Sequence, residues 1–215
     1  MWMASYMGGI FVVDRQRLVQ TVTAATASSP SATATLVADV HLADQGANAL
    51  SALHVGQLVT DAQGMVWAST GNHVDRINPK TMKVEAVPAG DVVNYLMADA
   101  RGNVWMGSNG KVRCYVMEGK AAWPVKPREW QIGGKVVCMC DVDGRTWVVS
   151  GQECCVIGLD GKSFRFKIPQ DVTPMTIYYS PTQRQVVMGG NDGYVTLNAD
   201  APTASAHARR LMLAG

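Results

Sequence analysis

Three aspartates recur at matching positions along the 215-residue chain, and repeated carboxylates could bind a metal or transfer protons. Asp61, Asp99 and Asp141 each stand three residues before a glycine and six residues before a tryptophan. This spacing assigns each aspartate to its own copy of one structural unit, so the three carboxylates would lie too far apart to cooperate. We therefore predict that they fix turns, and we predict no catalytic residue and no metal site.

The histidines and cysteines lack the spacing of metal or nucleophile motifs. The histidines fit neither H-x-x-x-H nor H-E-x-x-H, and the odd set of five cysteines has no paired C-x-x-C. Cys138 and Cys140 would share one strand face and could hold a metal only with ligands from elsewhere, whereas Cys154 and Cys155 would point to opposite faces. We expect buried thiols, no disulfide framework and no cofactor. The residues concerned are His41, His54, His73, His207, Cys114, Cys138, Cys140, Cys154 and Cys155.

Composition and charge exclude two classes of partner. Hydrophobic residues make up 47% of the chain and charged residues 17%, as in an ordinary globular protein. The net charge of +2 is spread along the chain without a basic run, so a nucleic acid partner is not expected. Without an apolar run of about 18 residues, contact with a membrane would come only through missing parts of a longer protein. The start lacks a signal peptide, so the chain is cytoplasmic or its true N-terminus is missing.

The tryptophans mark an internal repeat of about 40 residues. Trp67, Trp105 and Trp147 lie in "DAQGMVWASTGNHV", "DARGNVWMGSNGKV" and "DVDGRTWVVSGQECCV". A degenerate fourth copy, "RQVVMGGNDGYVTLN", has Val187 in place of tryptophan, and a truncated copy surrounds Trp2. A repeat of this length indicates an array of similar structural units.

Each copy predicts four short antiparallel strands. An alternating first strand leads into a D-x-x-G turn, where Gly64, Gly102 or Gly144 takes the left-handed conformation. The second strand places tryptophan and a small residue on one face, which suits packing between sheets, and two further strands follow. Four strands in about 40 residues are typical of a propeller blade. The predicted fold is all-β, a partial β-propeller of about four to five blades.

The repeats divide the chain into blades and connectors. The low-complexity "TVTAATASSPSATATLVAD" suggests an insertion, and "LADQGANALSALHVGQLV" is the one stretch predicted to contain a helical turn or two. The predicted segments are a partial blade (1–20), an insertion and connector (21–54), three blades (55–90, 91–130 and 131–171), a degenerate last blade (172–202), and a linker or start of an immunoglobulin-like domain (203–215).

The D-x-x-G-x-(hydrophobic)-W-(hydrophobic)-(Gly/Ala)-(Ser/Thr) core resembles the two-component regulator propeller repeat. Such repeats form the periplasmic sensor region of hybrid two-component systems, with a sensor histidine kinase and a response regulator, typical of Bacteroidetes. The order of segments is similar to the last blades of these sensors. The resemblance implies a non-catalytic, periplasmic part of an inner-membrane protein that binds glycan-derived oligosaccharides, dimerises and signals to a kinase.

The chain is shorter than the two full propellers of that family, which indicates a fragment. An incomplete propeller leaves unpaired strand edges. We therefore expect a homodimer or edge-to-edge self-association, or else closure as a distorted small ring.

Propellers usually bind ligands beside the turns that join second and third strands, and this analogy rests on the fold alone. It selects a set of exposed polar residues, each of which could equally be an ordinary turn residue: Asn72, His73, Asn109, Gln152, Asn191 and Asp192. Trp123 and Trp130 lie outside the packing motif, which would leave them free to stack on a ligand or partner.

Two other functions stay open. The chain could be a protein-interaction propeller without a small ligand. It could also be part of a propeller glycosidase, since "DVDGRTW" is similar to the Asp-box of such enzymes. An Asp-box is itself a structural turn, and the sequence offers no pair of carboxylates at the separation that glycoside hydrolysis requires.

Overall fold

The computed structural model describes residues 1–28, 37–117, 126–170, 172–202 and 207–210. Over these ranges the chain forms one helix and five antiparallel sheets whose strands follow one another in chain order. The first sheet contains β1 (Trp2–Ser5), β2 (Gly9–Val12) and β3 (Val40–Leu42), with helix α1 (Arg15–Ser28) between its last two strands.

The other four sheets have four strands each, as the repeat predicts. The second sheet contains β4 (Val55–Thr60), β5 (Val66–Thr70), β6 (His73–Ile77) and β7 (Val84–Val87). The third contains β8 (Tyr95–Ala98), β9 (Val104–Gly107), β10 (Asn109–Tyr115) and β11 (Arg128–Lys135). The fourth contains β12 (Cys138–Val142), β13 (Arg145–Ser150), β14 (Glu153–Gly158) and β15 (Ser163–Lys167). The fifth contains β16 (Thr176–Ser180), β17 (Gln185–Gly190), β18 (Gly193–Asn198) and β19 (His207–Arg210). The predicted all-β fold built from propeller blades is confirmed.

The chain divides into two compact units, Met1–Leu58 with Val66–Pro88 and Val59–Met65 with Ala89–Gly215. The core of the first unit is a cluster of buried aliphatic side chains: Ile10, Leu42, Leu50, Val55, Val66, Ala68 and Ile77. Asp75 is fully buried there and accepts hydrogen bonds from the Ser51 backbone N–H (2.7 Å), the Ser51 hydroxyl (2.5 Å) and the Thr70 hydroxyl (2.9 Å). These bonds fasten the loop before β4 to the second sheet.

The helix of the first unit differs from the sequence prediction. The predicted helical turn in 42–59 is wrong, because that stretch contains the end of β3, an irregular loop held by Asp75, and β4. The helix instead covers Arg15–Ser28, where no glycine or proline interrupts the chain. Asp14 caps its first turn by accepting a hydrogen bond from the Arg17 backbone N–H at 2.9 Å.

The sheet β12–β15 lies at the centre of the second unit, and both of its faces are apolar. One face packs on the sheet β16–β19 through a cluster that includes Trp147, Cys154 and Met188. The other face packs on the sheet β8–β11 through a cluster that includes Trp105 and Cys155. Adjacent Cys154 and Cys155 therefore point to opposite faces, as predicted.

Three strands cross the predicted segment boundaries. Strand β3 lies in the predicted connector but pairs in the first sheet, and β19 lies in the predicted linker but pairs in the fifth sheet. Strand β11 crosses the third boundary. The blade expected to end at residue 130 continues to Lys135, because β11 pairs with β10 from Arg128 to Gln131 and again at Lys135. Gly133 and Gly134 suggest a turn in the sequence, yet they lie inside this strand. The register shifts between Asn109 and Lys111, so the pairing accommodates an irregularity at this point.

The D-x-x-G turns join the first and second strands of their sheets. The carboxylate of Asp99 accepts hydrogen bonds from the backbone N–H groups of Arg101 and Asn103, the Asn103 side-chain amide and the Trp105 indole, all at 2.9–3.0 Å. Asp61 accepts two equivalent backbone bonds, from Gln63 and Met65. In the third copy the turn is tighter, with Asp143 and Gly144 both at positive φ.

Successive turns of the second unit are also hydrogen-bonded to one another. The Ala62 backbone N–H donates to the Gly102 carbonyl at 3.0 Å, and the Ala100 backbone N–H donates to the Asp141 carboxylate at 2.7 Å. A Cβ added to Gly102 would lie 2.4 Å from the Ala62 nitrogen, so this contact requires glycine.

Two glycine substitutions separate the backbone cost of the turn from the cost of this contact. Gly64 and Gly102 have φ of 78° and 74°, but a Cβ on Gly64 would meet nothing within 4 Å. We expect Gly64→Ala to lower the free energy of unfolding by about 1 kcal/mol, and Gly102→Ala by about 3 kcal/mol or more. Urea denaturation measures both values. Equal losses would show that the contact with Ala62 adds nothing.

Asp99→Ala should destabilise the fold by about 2–4 kcal/mol, since it leaves the Trp105 indole and the Asn103 amide without their acceptor. Asp192→Ala is the matched control, because Asp192 is exposed in another turn. Denaturation midpoints and the fluorescence of the buried tryptophans report the effect. A loss for Asp99→Ala no larger than that of the control would contradict the role of this carboxylate.

Candidate ligand-binding site

A cavity of about 360 Å³ lies between the sheets β12–β15 and β16–β19 of the second unit. We call it the inter-sheet cavity. Its volume is at the lower end of the range for small-molecule sites. Residues of the β12–β13 turn and of the turn that follows β18 line one end of it. The lining residues are Val142, Asp143, Arg145, Trp147, Val156, Phe164, Arg184, Ala199, Asp200 and Pro202.

The register of the fourth sheet gives the inter-sheet cavity an aromatic side. Trp147 pairs with Val156, and Val156 pairs with Phe164, so the three side chains form a row on one face. Trp147 is 2% exposed and meets Phe166 edge to face at 5.5 Å. Phe164, at the outer strand, is 41% exposed. The row therefore ends in an aromatic ring that a ligand can reach.

Arg184 forms an ionic link across the opposite side of the inter-sheet cavity. Its guanidinium donates Nε to Asp200 Oδ2 at 2.8 Å and Nη2 to Asp200 Oδ1 at 2.5 Å. Its Nη1 lies 3.1 Å from Asp143 Oδ2, the atom that also accepts the Tyr179 hydroxyl at 2.7 Å. These contacts connect the β12–β13 turn to the fifth sheet.

The ionic link changes the acidity of its members. The hydrogen bond from Arg184 lowers the pKa of Asp200, so this carboxyl stays ionised to lower pH than an ordinary aspartate. The pKa of Tyr179 is raised, first because its hydroxyl donates to the Asp143 carboxylate, and then by desolvation and the negative charge. Asp200 therefore lines the cavity as an anion, and Tyr179 supports it as a neutral phenol.

Arg145 is the second cation of the inter-sheet cavity. It lies two residues before Trp147 on β13, so both side chains project from the same face. Its guanidinium is exposed and makes no hydrogen bond or ion pair with any residue in the described ranges. The cavity thus combines an accessible aromatic ring, two carboxylates held by Arg184, and an available guanidinium.

The polar residues selected from the sequence lie elsewhere. They lie in or beside turns between second and third strands, in four different sheets: Asn72 and His73, Asn109, Gln152, and Asn191 and Asp192. Turns alternate between the two ends of an antiparallel sheet, so the β13–β14 and β17–β18 turns lie at the strand ends away from the inter-sheet cavity. Asn109 accepts a hydrogen bond from the Asn94 amide, and Gln152 donates to the Val172 carbonyl. Both amides thus contact neighbouring loops.

The two tryptophans proposed for ligand stacking have different outcomes. Trp123 lies outside the described residues. Trp130 stacks on Trp105, with ring centroids 5.3 Å apart and an interplanar angle of 25°. One face of its ring therefore completes the packing of the third sheet, while the half-buried ring keeps its other face, so ligand stacking by Trp130 stays a prediction.

The cysteines do not form a reactive or metal-binding group in the described part of the chain. All five are free thiols, and no cluster of three histidine, cysteine, aspartate or glutamate side chains is found there. Burial raises the pKa of Cys138 to about 12 and that of Cys140 to about 11. These thiols stay protonated at neutral pH and act as small apolar side chains.

Sequence reasoning missed Phe164, Arg145, Arg184 and Asp200. The segment "DVDGRTW" contributes Asp143, Arg145 and Trp147 to the inter-sheet cavity, but its pattern identifies a turn. Arg184 and Asp200 come from turns of the next sheet, more than one strand away in sequence. Only the packing of the fourth sheet on the fifth brings these residues together.

No protein-family model matches the chain, and no curated protein matches it. Several solved structures have a fold similar to that of this chain. The extracellular domain of a one component system from B. thetaiotaomicron is 24% identical with a TM-score of 0.76, over 94% of this chain and 26% of that one. A second structure of the same protein describes it as a hybrid two component system.

Two other solved structures have a similar fold at lower sequence identity. The extracellular domain of another hybrid two component system from B. thetaiotaomicron is 12% identical, with a TM-score of 0.58 over 87% of this chain and 23% of that one. Virginiamycin B lyase from Staphylococcus aureus is 13% identical, with a TM-score of 0.68 over 99% of this chain and 66% of that one. The chain spans about a quarter of the two extracellular domains, and identities this low show a shared fold. Among the described residues, no helix has the length and apolar character needed to cross a bilayer.

The ionic link predicts a lowered pKa for Asp200 that depends on Arg184. In Arg184→Gln, the Asp200 pKa should rise toward the ordinary aspartate value, because the main hydrogen bond to the carboxylate is lost. A folded-state pKa below the unfolded value stabilises the fold above the unfolded pKa, and this contribution is lost as pH falls through the lowered pKa. Carboxyl NMR titration measures the shift. Lys162→Gln, at the β14–β15 turn, is the control and should leave the Asp200 pKa unchanged. An Asp200 pKa that does not shift in Arg184→Gln would contradict the ionic link.

Proposed function

We propose that this chain is a non-catalytic, ligand-sensing propeller segment of the periplasmic sensor region of a hybrid two-component histidine kinase. Its ligands are oligosaccharides, and they bind in the inter-sheet cavity. The observation that carries this proposal is the accessible Phe164 ring beside the polar groups of Asp143, Arg145 and Asp200.

Sugar chemistry matches this combination of groups. The C–H faces of a pyranose ring pack on aromatic side chains, and Phe164 offers such a surface. Sugar hydroxyls donate to carboxylates and accept from guanidinium groups, and both kinds of group line the cavity. Ligand sites typically combine apolar walls with a few oriented polar groups in this way.

The similar folds support a sensor role. Two of the proteins with this fold are extracellular domains of systems described as one-component or hybrid two-component systems. The segment order and repeat core of this chain resemble the corresponding propeller repeats. A periplasmic position within a longer sensor is part of the proposal, and the likeness to these extracellular domains supports it.

The carboxylates of the inter-sheet cavity favour binding over hydrolysis. A glycosidase needs one carboxylic acid with a raised pKa to protonate the leaving group. Here Arg184 contacts both Asp143 and Asp200, and it lowers the pKa of Asp200. A carboxylate held in its ionised form is a hydrogen-bond acceptor for hydroxyls and a poor general acid.

A protein-interaction propeller is the second candidate. It is favoured by the large apolar side chains exposed on or beside β16, since Met175 is 57% exposed and Tyr178 is 64% exposed. Such side chains suit a partner surface, although two residues are a small patch. These residues do not line the inter-sheet cavity, so the two candidates predict different sensitive positions.

Phe164→Ala should weaken oligosaccharide binding at least about tenfold, because the ring loses its buried contact with the sugar. Tyr178→Ala is the matched control, since it removes a more exposed aromatic ring outside the cavity. Thermal-shift screening of an oligosaccharide panel, followed by calorimetry on the hits, measures the effect. If no oligosaccharide binds, the oligosaccharide proposal fails and the interaction module is favoured. If Tyr178→Ala alone weakens binding, the assignment of the site to the inter-sheet cavity is overturned.

A further inference from the structure

We propose that the inter-sheet cavity prefers acidic oligosaccharides, with Arg145 binding a ligand carboxylate while Phe164 packs on the sugar ring. This inference rests on the proposed oligosaccharide binding and adds the charge of the ligand. It is carried by the unpaired guanidinium of Arg145 beside the aromatic row of β13, β14 and β15.

The two arginines of the inter-sheet cavity differ in their partners: Arg184 is paired with protein carboxylates, and Arg145 is available to a ligand. Arg184 donates to both oxygens of Asp200 and contacts Asp143, so its donors are directed at protein carboxylates. Arg145 has no ion-pair partner in the described ranges, and its side chain is exposed at the cavity. A ligand carboxylate would therefore meet a guanidinium whose five N–H donors are available.

The sheet geometry places this guanidinium within reach of a sugar stacked on Phe164. Arg145 and Trp147 are two residues apart on β13, a rise of about 7 Å along the strand. Phe164 lies two strands across from Trp147, a distance of about 10 Å. The long Arg145 side chain and one sugar residue together span this separation. The carboxylate of a uronic acid residue can thus face Arg145 while the ring of the same or the next residue covers Phe164.

The neighbouring carboxylates favour a singly charged, hydroxylated ligand. Asp143 Oδ1 has no protein donor in the described ranges, and Asp200 lines the same cavity as an anion. Both would repel a densely charged anion, whereas both would accept hydrogen bonds from hydroxyl groups. A uronic acid carries one carboxylate beside several hydroxyls. Its carboxylate also matches the planar fork of a guanidinium, which binds carboxylates through two parallel hydrogen bonds.

Matched pairs of ligands test this inference on the full chain. Each neutral oligosaccharide of a panel is compared by calorimetry with its uronic acid counterpart, for example cellobiose with cellobiouronic acid. We expect the acid to bind more tightly, and its advantage to shrink as salt is added. Arg145→Gln should weaken binding of the acid roughly 10- to 100-fold more than binding of the neutral sugar, which loses only a hydrogen bond to a hydroxyl.

Lys162→Gln is the matched control variant. It removes one exposed positive charge at the β14–β15 turn, which is at the same end of the fourth sheet as Arg145 but outside the cavity lining. It should change the affinity of neither ligand. Arg145→Lys, which keeps the charge but loses the planar fork, should restore part of the preference for the acid. Arg145 is exposed, so circular dichroism should show both Arg145 variants folded like the wild type.

The outcomes separate this inference from the proposed function. Equal affinities for acid and neutral sugars would overturn the preference for acidic ligands and leave oligosaccharide sensing in place. A preference for the acid that survives Arg145→Gln would overturn the role of Arg145. If no member of any pair binds, both this inference and the oligosaccharide proposal are overturned.

Discussion

The hydrogen bonds of the D-x-x-G turn are the constraint on which the second unit depends. In the Asp99 turn a single carboxylate orders the turn backbone and also fixes the Trp105 indole, which packs between two sheets. Local turn geometry and inter-sheet packing are therefore coupled through one side chain. The next coupling is between turns, because the turn after Asp61 bonds to the Asp99 turn, which in turn bonds to Asp141. This series of bonds positions the β12–β13 turn, which contributes Asp143 and Arg145 to the inter-sheet cavity.

The inter-sheet cavity lies where the repeat becomes irregular. The fourth copy lacks a D-x-x-G turn, and its β16–β17 turn has Arg184 at a φ of 51°. Earlier turns are joined by backbone donors, whereas this turn is joined to its neighbour by the ion pair between Arg184 and Asp143. Exposed ion pairs are weaker than well-made packing contacts, since solvent and salt screen them. The two sheets thus pack through a shared apolar core but leave open, polar space at their turn end.

The repeat made the sheets predictable, because period-two alternation and turn chemistry are local signals. The helix was missed since the Asp14 cap and the following residues form no part of the repeat. The β11 boundary was misplaced because Gly133 and Gly134 lie at an irregularity inside the strand, and no local pattern shows that pairing with β10 resumes at Lys135. The candidate site could not be predicted, because Arg145 and Arg184 belong to two different sheets, and no local sequence pattern records how those sheets pack.

The fourth sheet differs from the second and third sheets at the positions that line the inter-sheet cavity. The cross-strand row that starts at each motif tryptophan ends at Glu85 in the second sheet, Arg128 in the third and Phe164 in the fourth. The residue two before the tryptophan is likewise Met65, Asn103 and Arg145. Asn103 is buried and bonded to Asp99, so it serves its own turn. In the fourth sheet both positions change together, one to an exposed aromatic ring and the other to an unpaired cation. The site proposed for ligand binding therefore consists of departures from the repeat, and the repeated residues supply the scaffold that holds those departures in place.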